Sequence, residues 1–169
     1  MSRSRFNIAE EGAIVTLYVP QDIDALQAAK SPVIVSMRNF AHATIIYSIG
    51  AAPRAAGVVT IESCLDFVPN TATAIMFRYY RYETSQLVTG ADIHGALTWT
   101  TTAAAGLIPV ATGTPLIYVI ELDAEELVAN HVGFRMCIAD PAAASIGSAI
   151  AVLSGARYAD KGTTNMTVY

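Results

Sequence analysis

Apolar and polar residues alternate, or apolar residues crowd into short runs, in segment after segment of this chain, with Gly, Pro and Asn between them at intervals of about ten residues. A period of two sends successive side chains to opposite faces of an extended strand, so such segments suit half-buried or fully buried strands. Their spacing is that of a sandwich or barrel. The predicted strands are Ala13 to Val19, Val33 to Met37, Ala43 to Ile49, Val58 to Leu65, Ala74 to Tyr82, Ala96 to Thr101, Leu116 to Glu121, Val132 to Ile138 and Ser148 to Ser154. Between them lie turn-forming stretches such as Gly50 to Gly57, Pro69-Asn70-Thr71, Gly90 to Gly95, Gly106 to Pro115 and Asp140-Pro141. The expected fold class is therefore mainly β: an antiparallel β-sandwich or jelly-roll-like body forming a single domain over residues 1–169.

Two short helices are predicted to interrupt the strands. Asp123-Ala-Glu-Glu-Leu-Val-Ala-Asn130 begins with a capping residue and has Glu126 three positions on, the pattern of a capping box. Asp22 to Lys30 has an acidic start and a basic end, which suits the helix dipole, and Ser31-Pro32 stops it. The first dozen residues and the stretch from Tyr158 to Tyr169 are polar and lack a core pattern. They read as an extended arm and a tail that neighbouring molecules would hold in place.

Composition bears on what surrounds such a body. Lys and Arg number 10 and Asp and Glu 14, only 14% of the chain, and mean hydropathy is +0.43. A free domain of this mass exposes roughly 8000 Å², so charges on its surface would be thin, and a chain of this kind is expected to bury much of its outside against other chains. The net charge of −4, without a basic block, argues against nucleic acid as a partner. The most apolar window, Ala139 to Ala156, is broken by Asp140, Pro141, serines and glycines, which argues against a membrane span. The start Met1-Ser-Arg-Ser-Arg-Phe-Asn, followed by Ile8-Ala-Glu-Glu, does not read as a signal peptide. Cys64 and Cys137 sit in apolar runs and are expected to be reduced core residues, with a core disulfide as the alternative.

No segment spells out a reaction. His42, His94 and His131 have no partner at metal-ligand spacing. Ser48-Ile-Gly50 and Ser154-Gly155 lack the flanking glycine of a nucleophile elbow, and the glycines make no phosphate-binding loop. Glu125 and Glu126 are adjacent and fit capping and solvation better than paired acid–base work. The chain is thus expected to have no catalytic, metal or cofactor-binding residues and not to be an enzyme. A pocket holding His94 or His131 beside a carboxylate would revive catalysis.

Met76-Phe-Arg-Tyr-Tyr-Arg-Tyr82 is the one dense aromatic and basic cluster. Strand alternation sets Met76, Arg78, Tyr80 and Tyr82 on one face and Phe77, Tyr79 and Arg81 on the other. Tyr and Arg are favoured at interface hot spots, so Phe77, Arg78, Tyr79, Tyr80, Arg81 and Tyr82 are predicted to form a subunit interface. Arg3, Arg5 and Phe6 of the arm, with Tyr158 and Tyr169 of the tail, are predicted to contact a shell or a neighbouring subunit. The alternative from another class is a carbohydrate-binding module in which Tyr79, Tyr80, Tyr82 and Trp99 stack on sugars.

The succession of Val35-Ser-Met-Arg-Asn-Phe-Ala-His-Ala-Thr-Ile-Ile-Tyr-Ser-Ile-Gly-Ala51, Val59-Thr-Ile-Glu-Ser-Cys64, Thr73-Ala-Ile-Met-Phe-Arg-Tyr-Tyr80, Ile120-Glu-Leu-Asp-Ala-Glu-Glu-Leu127 and Ala151-Val-Leu-Ser-Gly-Ala-Arg-Tyr158 resembles small structural proteins of tailed-bacteriophage virions, in particular capsid decoration or cement proteins. The resemblance is one of pattern and order, from about Val33 to Tyr158. It implies a β-sandwich or jelly-roll body on the capsid surface that stabilises the head by bridging capsomers. The implied partners are the major capsid protein and copies of the chain itself, in a homo-oligomer such as a trimer, with neither nucleic acid nor membrane involved. A tail-tube or head–tail connector subunit is the alternative within the same class.

Overall fold

The structure is a computed structural model. It describes residues 8, 12–22, 33–50, 57–68, 71–83, 93–109, 116–139 and 146–156, with the backbone alone at 83, 93 and 94. Its described strands are β1 (Ala13–Asp22), β2 (Ile34–Ser36), β3 (Phe40–Ile49), β4 (Val59–Cys64), β5 (Ala72–Ile75), β6 (Arg78–Glu83), β7 (Ile93–His94), β8 (Thr98–Trp99), β9 (Leu116–Asp123), β10 (Gly133–Ile138) and β11 (Ile146–Ala156). They form two antiparallel sheets. The larger runs β1-β11-β3-β9-β6-β7, with β8 also paired to β6, and the smaller runs β2-β10-β4-β5.

The alternation legible in the sequence decides which face each strand buries. In β3, Ala43, Ile45, Tyr47 and Ile49 are buried, while His42, Thr44, Ile46 and Ser48 point the other way. In β9, Leu116, Tyr118, Ile120 and Leu122 alternate in the same sense with Ile117, Val119, Glu121 and Asp123. Cross-strand partners match, since Ile45 opposes Ile120 and Ala43 opposes Leu122. The inward side chains of both sheets form one apolar cluster, with Val15 and Leu17 of β1 and Ala151 and Leu153 of β11 meeting Val59 and Ile61 of β4 and Phe134 and Met136 of β10. That shared core makes the molecule a β-sandwich. The layers are also tied by a polar link, because the Tyr18 hydroxyl donates to the carbonyl of Met136 at 2.6 Å.

The predicted single strand Ala74 to Tyr82 is instead two. β5 pairs with β4 in the small sheet and β6 with β9 in the large one, so the chain changes layers at Met76 and Phe77. The Phe77 N–H donates to Thr100 Oγ1 at 3.2 Å and its carbonyl accepts from the Thr100 N–H at 3.0 Å. These bonds satisfy a backbone that has left both ladders, and the Phe77 ring fills the crossing point. The predicted strand Ala96 to Thr101 is reduced to Thr98–Trp99, and Ile93–His94 adds a short strand inside what reads as a loop.

Of the two predicted helices, Asp123 to Asn130 is a single 3-10 turn over Ala124–Glu126. Glu126 reaches back to accept from the Asp123 N–H at 2.8 Å, as the pattern predicts. Asn130 then takes a left-handed φ of 70°, which ends the segment. The Asp22 to Lys30 prediction begins on the last residue of β1, and the rest of it lies outside the described residues.

Both cysteines are free, but neither lies in the core between the sheets. They share the outer face of the small sheet with Glu62 and Arg135. Cys64 opposes Gly133 and Cys137 opposes Thr60, four residues along β10. That offset is roughly 13 Å at strand rise, beyond the reach of a disulfide.

Candidate interface on the outer face of the large sheet

The outward face of the large sheet is built in rows by strand register. The central row runs Thr16, Ile150, Ile46, Val119, Tyr80 across β1, β11, β3, β9 and β6. One step toward the start of β3 lies the row Ile14, Val152, Thr44, Glu121, Arg78, Trp99, and beyond it Ser154, His42 and Asp123. One step the other way come Ser148, Ser48, Ile117 and Tyr82. The central row thus carries no charge. Ile14 is 54% exposed, Ile46, Ile117, Ile150 and Val152 are half-buried, and Val119 is buried. An apolar centre with a polar margin is the anatomy of a protein interface.

The charged margin is a compact network. His42 Nδ1 lies 2.6 Å from Asp123 Oδ1 and its Nε2 lies 2.7 Å from Glu121 Oε2, so the ring is held between two carboxylates as a double donor. Thr44 donates to the same Glu121 oxygen at 2.9 Å. Arg78 donates through Nη2 to Asp123 Oδ2, has Glu126 Oε1 at 3.5 Å, and lies over the Trp99 ring, 5.5 Å from its centroid. Burial alone would lower the pKa of His42, but the hydrogen bonds to Asp123 and Glu121 outweigh it and the pKa is raised. The bond from His42 is the largest influence on Asp123, whose pKa is lowered.

Both His42 nitrogens are engaged on opposite sides of the ring, so the three groups do not converge on a point where an ion could sit. Among the described residues no group of His, Cys, Asp and Glu has the geometry to hold a metal. The network itself is invisible to motif spacing, because His42 lies 81 and 79 residues from Asp123 and Glu121. The sequence places only Thr44 and Glu121 on predicted strands, with His42 just before one and Asp123 at a predicted helix start. The structure extends β3 back to Phe40 and β9 on to Asp123, and that extension sets all four on one face.

The predicted aromatic interface divides as alternation requires. Arg78, Tyr80 and Tyr82 are on the outer face. Tyr79 turns inward, its ring 6.3 Å from Phe77 and 6.5 Å from Tyr118, and Arg81, opposite Tyr118, shares that side. Phe77 is 0% exposed, so its assignment to an interface is corrected: it is a core residue. With Tyr79 inward and Trp99 stacked by Arg78, the four aromatics proposed to hold sugars do not make one platform. Arg3, Arg5, Phe6, Tyr158 and Tyr169 lie outside the described residues.

Two other polar groupings have structural roles. Ser63, fully buried, receives the Val128 N–H at 3.1 Å and lies 2.8 Å from His131 Nδ1, pinning the turn after β9 to β4. His131 is thus beside a buried hydroxyl, and the His94 side chain is outside the described part. On the small sheet, Glu62 Oε2 accepts from Arg135 Nε at 2.6 Å and from Cys137 Sγ at 3.5 Å. Burial first, then the Glu62 charge, push the Cys137 thiol up to about 12. At pH 8 that leaves roughly one thiolate in ten thousand, against about a quarter for a free thiol. The higher nucleophilicity of a high-pKa thiolate offsets part of this, so Cys137 should react with a disulfide reagent more slowly than free cysteine by about tenfold or more, and a fast phase from a Cys64→Ala variant would contradict this.

No helix among the described residues is long and apolar enough to cross a membrane. Comparison of the chain with protein-family models, with curated proteins and with solved structures returns no match.

Proposed function

We propose that this chain is a non-enzymatic structural protein of a phage virion, a capsid decoration or cement protein that sits on the head and stabilises it by bridging capsomers. The observation that carries the reading is the uncharged central row on the outer face of the large sheet, set in the middle of a five-strand surface rather than at a site for a small molecule. Such a face is stable in water only at some cost in exposed apolar area, and burial against other subunits recovers that area.

The strand order adds support. β1-β11-β3-β9 in one layer faces β2-β10-β4-β5 in the other, with β6, β7 and β8 extending the larger sheet. Two four-stranded layers wound this way are the arrangement of a jelly roll, an architecture common in viral capsid and lectin domains. Architecture does not by itself assign function; the apolar face is what favours an assembly role. Each subunit would contribute modest contacts, and linked copies would raise one another's effective concentration on the shell.

The test is to mix the purified chain with emptied phage heads lacking it and measure bound mass by sedimentation. Saturable binding at a fixed ratio of chains to capsomers, with heads made more resistant to heat, is expected. Failure to bind heads, or binding to isolated tails instead, overturns the assignment.

A further inference from the structure

We infer that the outer face of the large sheet is the contact between two copies of this chain, packed face to face about a two-fold axis. The inference rests on the assembly reading above and names the occupant of the face that carries it. The face spans five strands about 4.8 Å apart and, on β3, the six-residue step from His42 to Ser48, so its projection is roughly 24 by 20 Å. That is on the order of 500 Å². Side chains corrugate the surface and raise its accessible area above the projection, so two such faces together bury on the order of 1000 Å² or more, the lower bound for a specific interface.

Shape favours a copy of the same chain over an unrelated partner. Twisted sheets pack on one another by matching broad surfaces about 10 Å apart. The face is formed by the middles of paired strands, and a second copy presents the same twist and the same apolar row. An isologous contact uses one patch twice and closes on itself, which is the commonest symmetry of soluble oligomers.

Charge placement selects the orientation. With the axis running across the strands through the row of Ile150, Ile46 and Val119, the charged end of one face lies over the Ser48 and Ser148 end of the other. His42 and Arg78 then avoid their own counterparts. Glu121, the acidic group nearest the apolar centre, is already paired with His42 and accepts a hydrogen bond from Thr44. An axis along the strands would set His42 against His42, and like charges in a partly desolvated contact cost several kcal/mol.

The experiment is sedimentation equilibrium of the full chain across the micromolar range, with Ile46→Arg and Thr16→Arg variants alongside. The wild type should show reversible association to twice the monomer mass, and Ile46→Arg should weaken it at least tenfold. Thr16 is exposed on the edge strand of the same row, so Thr16→Arg tests the face even if Ile46→Arg does not fold. A wild type monomeric throughout, a trimer, or a dimer untouched by the folded variants overturns the inference. A dimer that ignores phage heads would refute only the capsid role, and a monomer that binds heads only the dimer.

Discussion

Replacing Phe77 with alanine should lower the unfolding free energy by about 3–5 kcal/mol, the range for truncating a buried aromatic. The ring is wholly buried where the chain passes from the small sheet to the large one, against Tyr79. Its backbone, bonded in both directions to Thr100, fixes the crossing, so the surroundings cannot collapse far into the space left behind. The expected readout is a lower urea midpoint with an unchanged slope, and a melting temperature reduced by roughly 6–20 °C. Tyr80→Ala is the informative companion, because Tyr80 belongs to the central row of the outer face. It should alter association far more than stability. If Phe77→Ala left stability intact and weakened only binding, the ring would be an interface anchor and the crossing would be misplaced.

Phe77 also shows where the sequence stops being informative. A period of two assigned it correctly to the face opposite Arg78, Tyr80 and Tyr82, but the pattern cannot say which face has a second sheet behind it. Nor could it show that a run of strand-forming residues changes sheets midway, since Met76 and Phe77 are neither glycine nor proline and the break is made by Thr100, 23 residues away. The strands from Ala43 to Ile49 and Leu116 to Glu121 were legible as central strands rich in apolar and β-branched residues, although the faces of the unbroken apolar run Leu116 to Ile120 are decided by register rather than by pattern. The edge of the sheet was not, because β7 and β8 are only two residues long and lean on β6 for their pairing. The cysteines are free as expected, and Cys64 is buried, but the side of the sheet they occupy was not legible. Glu62 and Arg135 form a shielded ion pair on the outer side of the small sheet, and that environment buries Cys64 and Cys137 partly or wholly without placing them between the layers.

The His42 network was legible only as scattered polar residues on and just beyond two apolar strands, yet it should make stability depend on pH in a specific direction. His42 bridges β3 to β9 as a protonated ring between Glu121 and Asp123, and its pKa is raised in the folded chain. The folded state therefore keeps this proton at a pH where the unfolded chain has lost it. Its contribution is complete below the ordinary histidine value of about 6.5 and disappears as pH rises through the raised value. Asp123 works in the opposite sense. Its pKa is lowered, so its contribution is complete above the ordinary carboxylate range and is lost as pH falls through the lowered value. Both are present together in mildly acidic solution, between roughly pH 4 and 6.5. In that window His42→Ala should cost about 1–2 kcal/mol, a figure held down by the partial exposure of the ring and of Asp123. Above the raised His42 value the difference should shrink, and added salt should reduce it at any pH. Urea titrations of wild type and His42→Ala from acidic to alkaline buffer would show this as two curves that converge with rising pH. Curves that stay parallel would mean that the ring contributes packing alone. A double-mutant cycle of His42→Ala with Glu121→Gln isolates the pair directly: a coupling energy near zero in the acidic window would remove the ion pair from the account of how β3 is held to β9, leaving that junction to the ladder and to the apolar pairs beneath it.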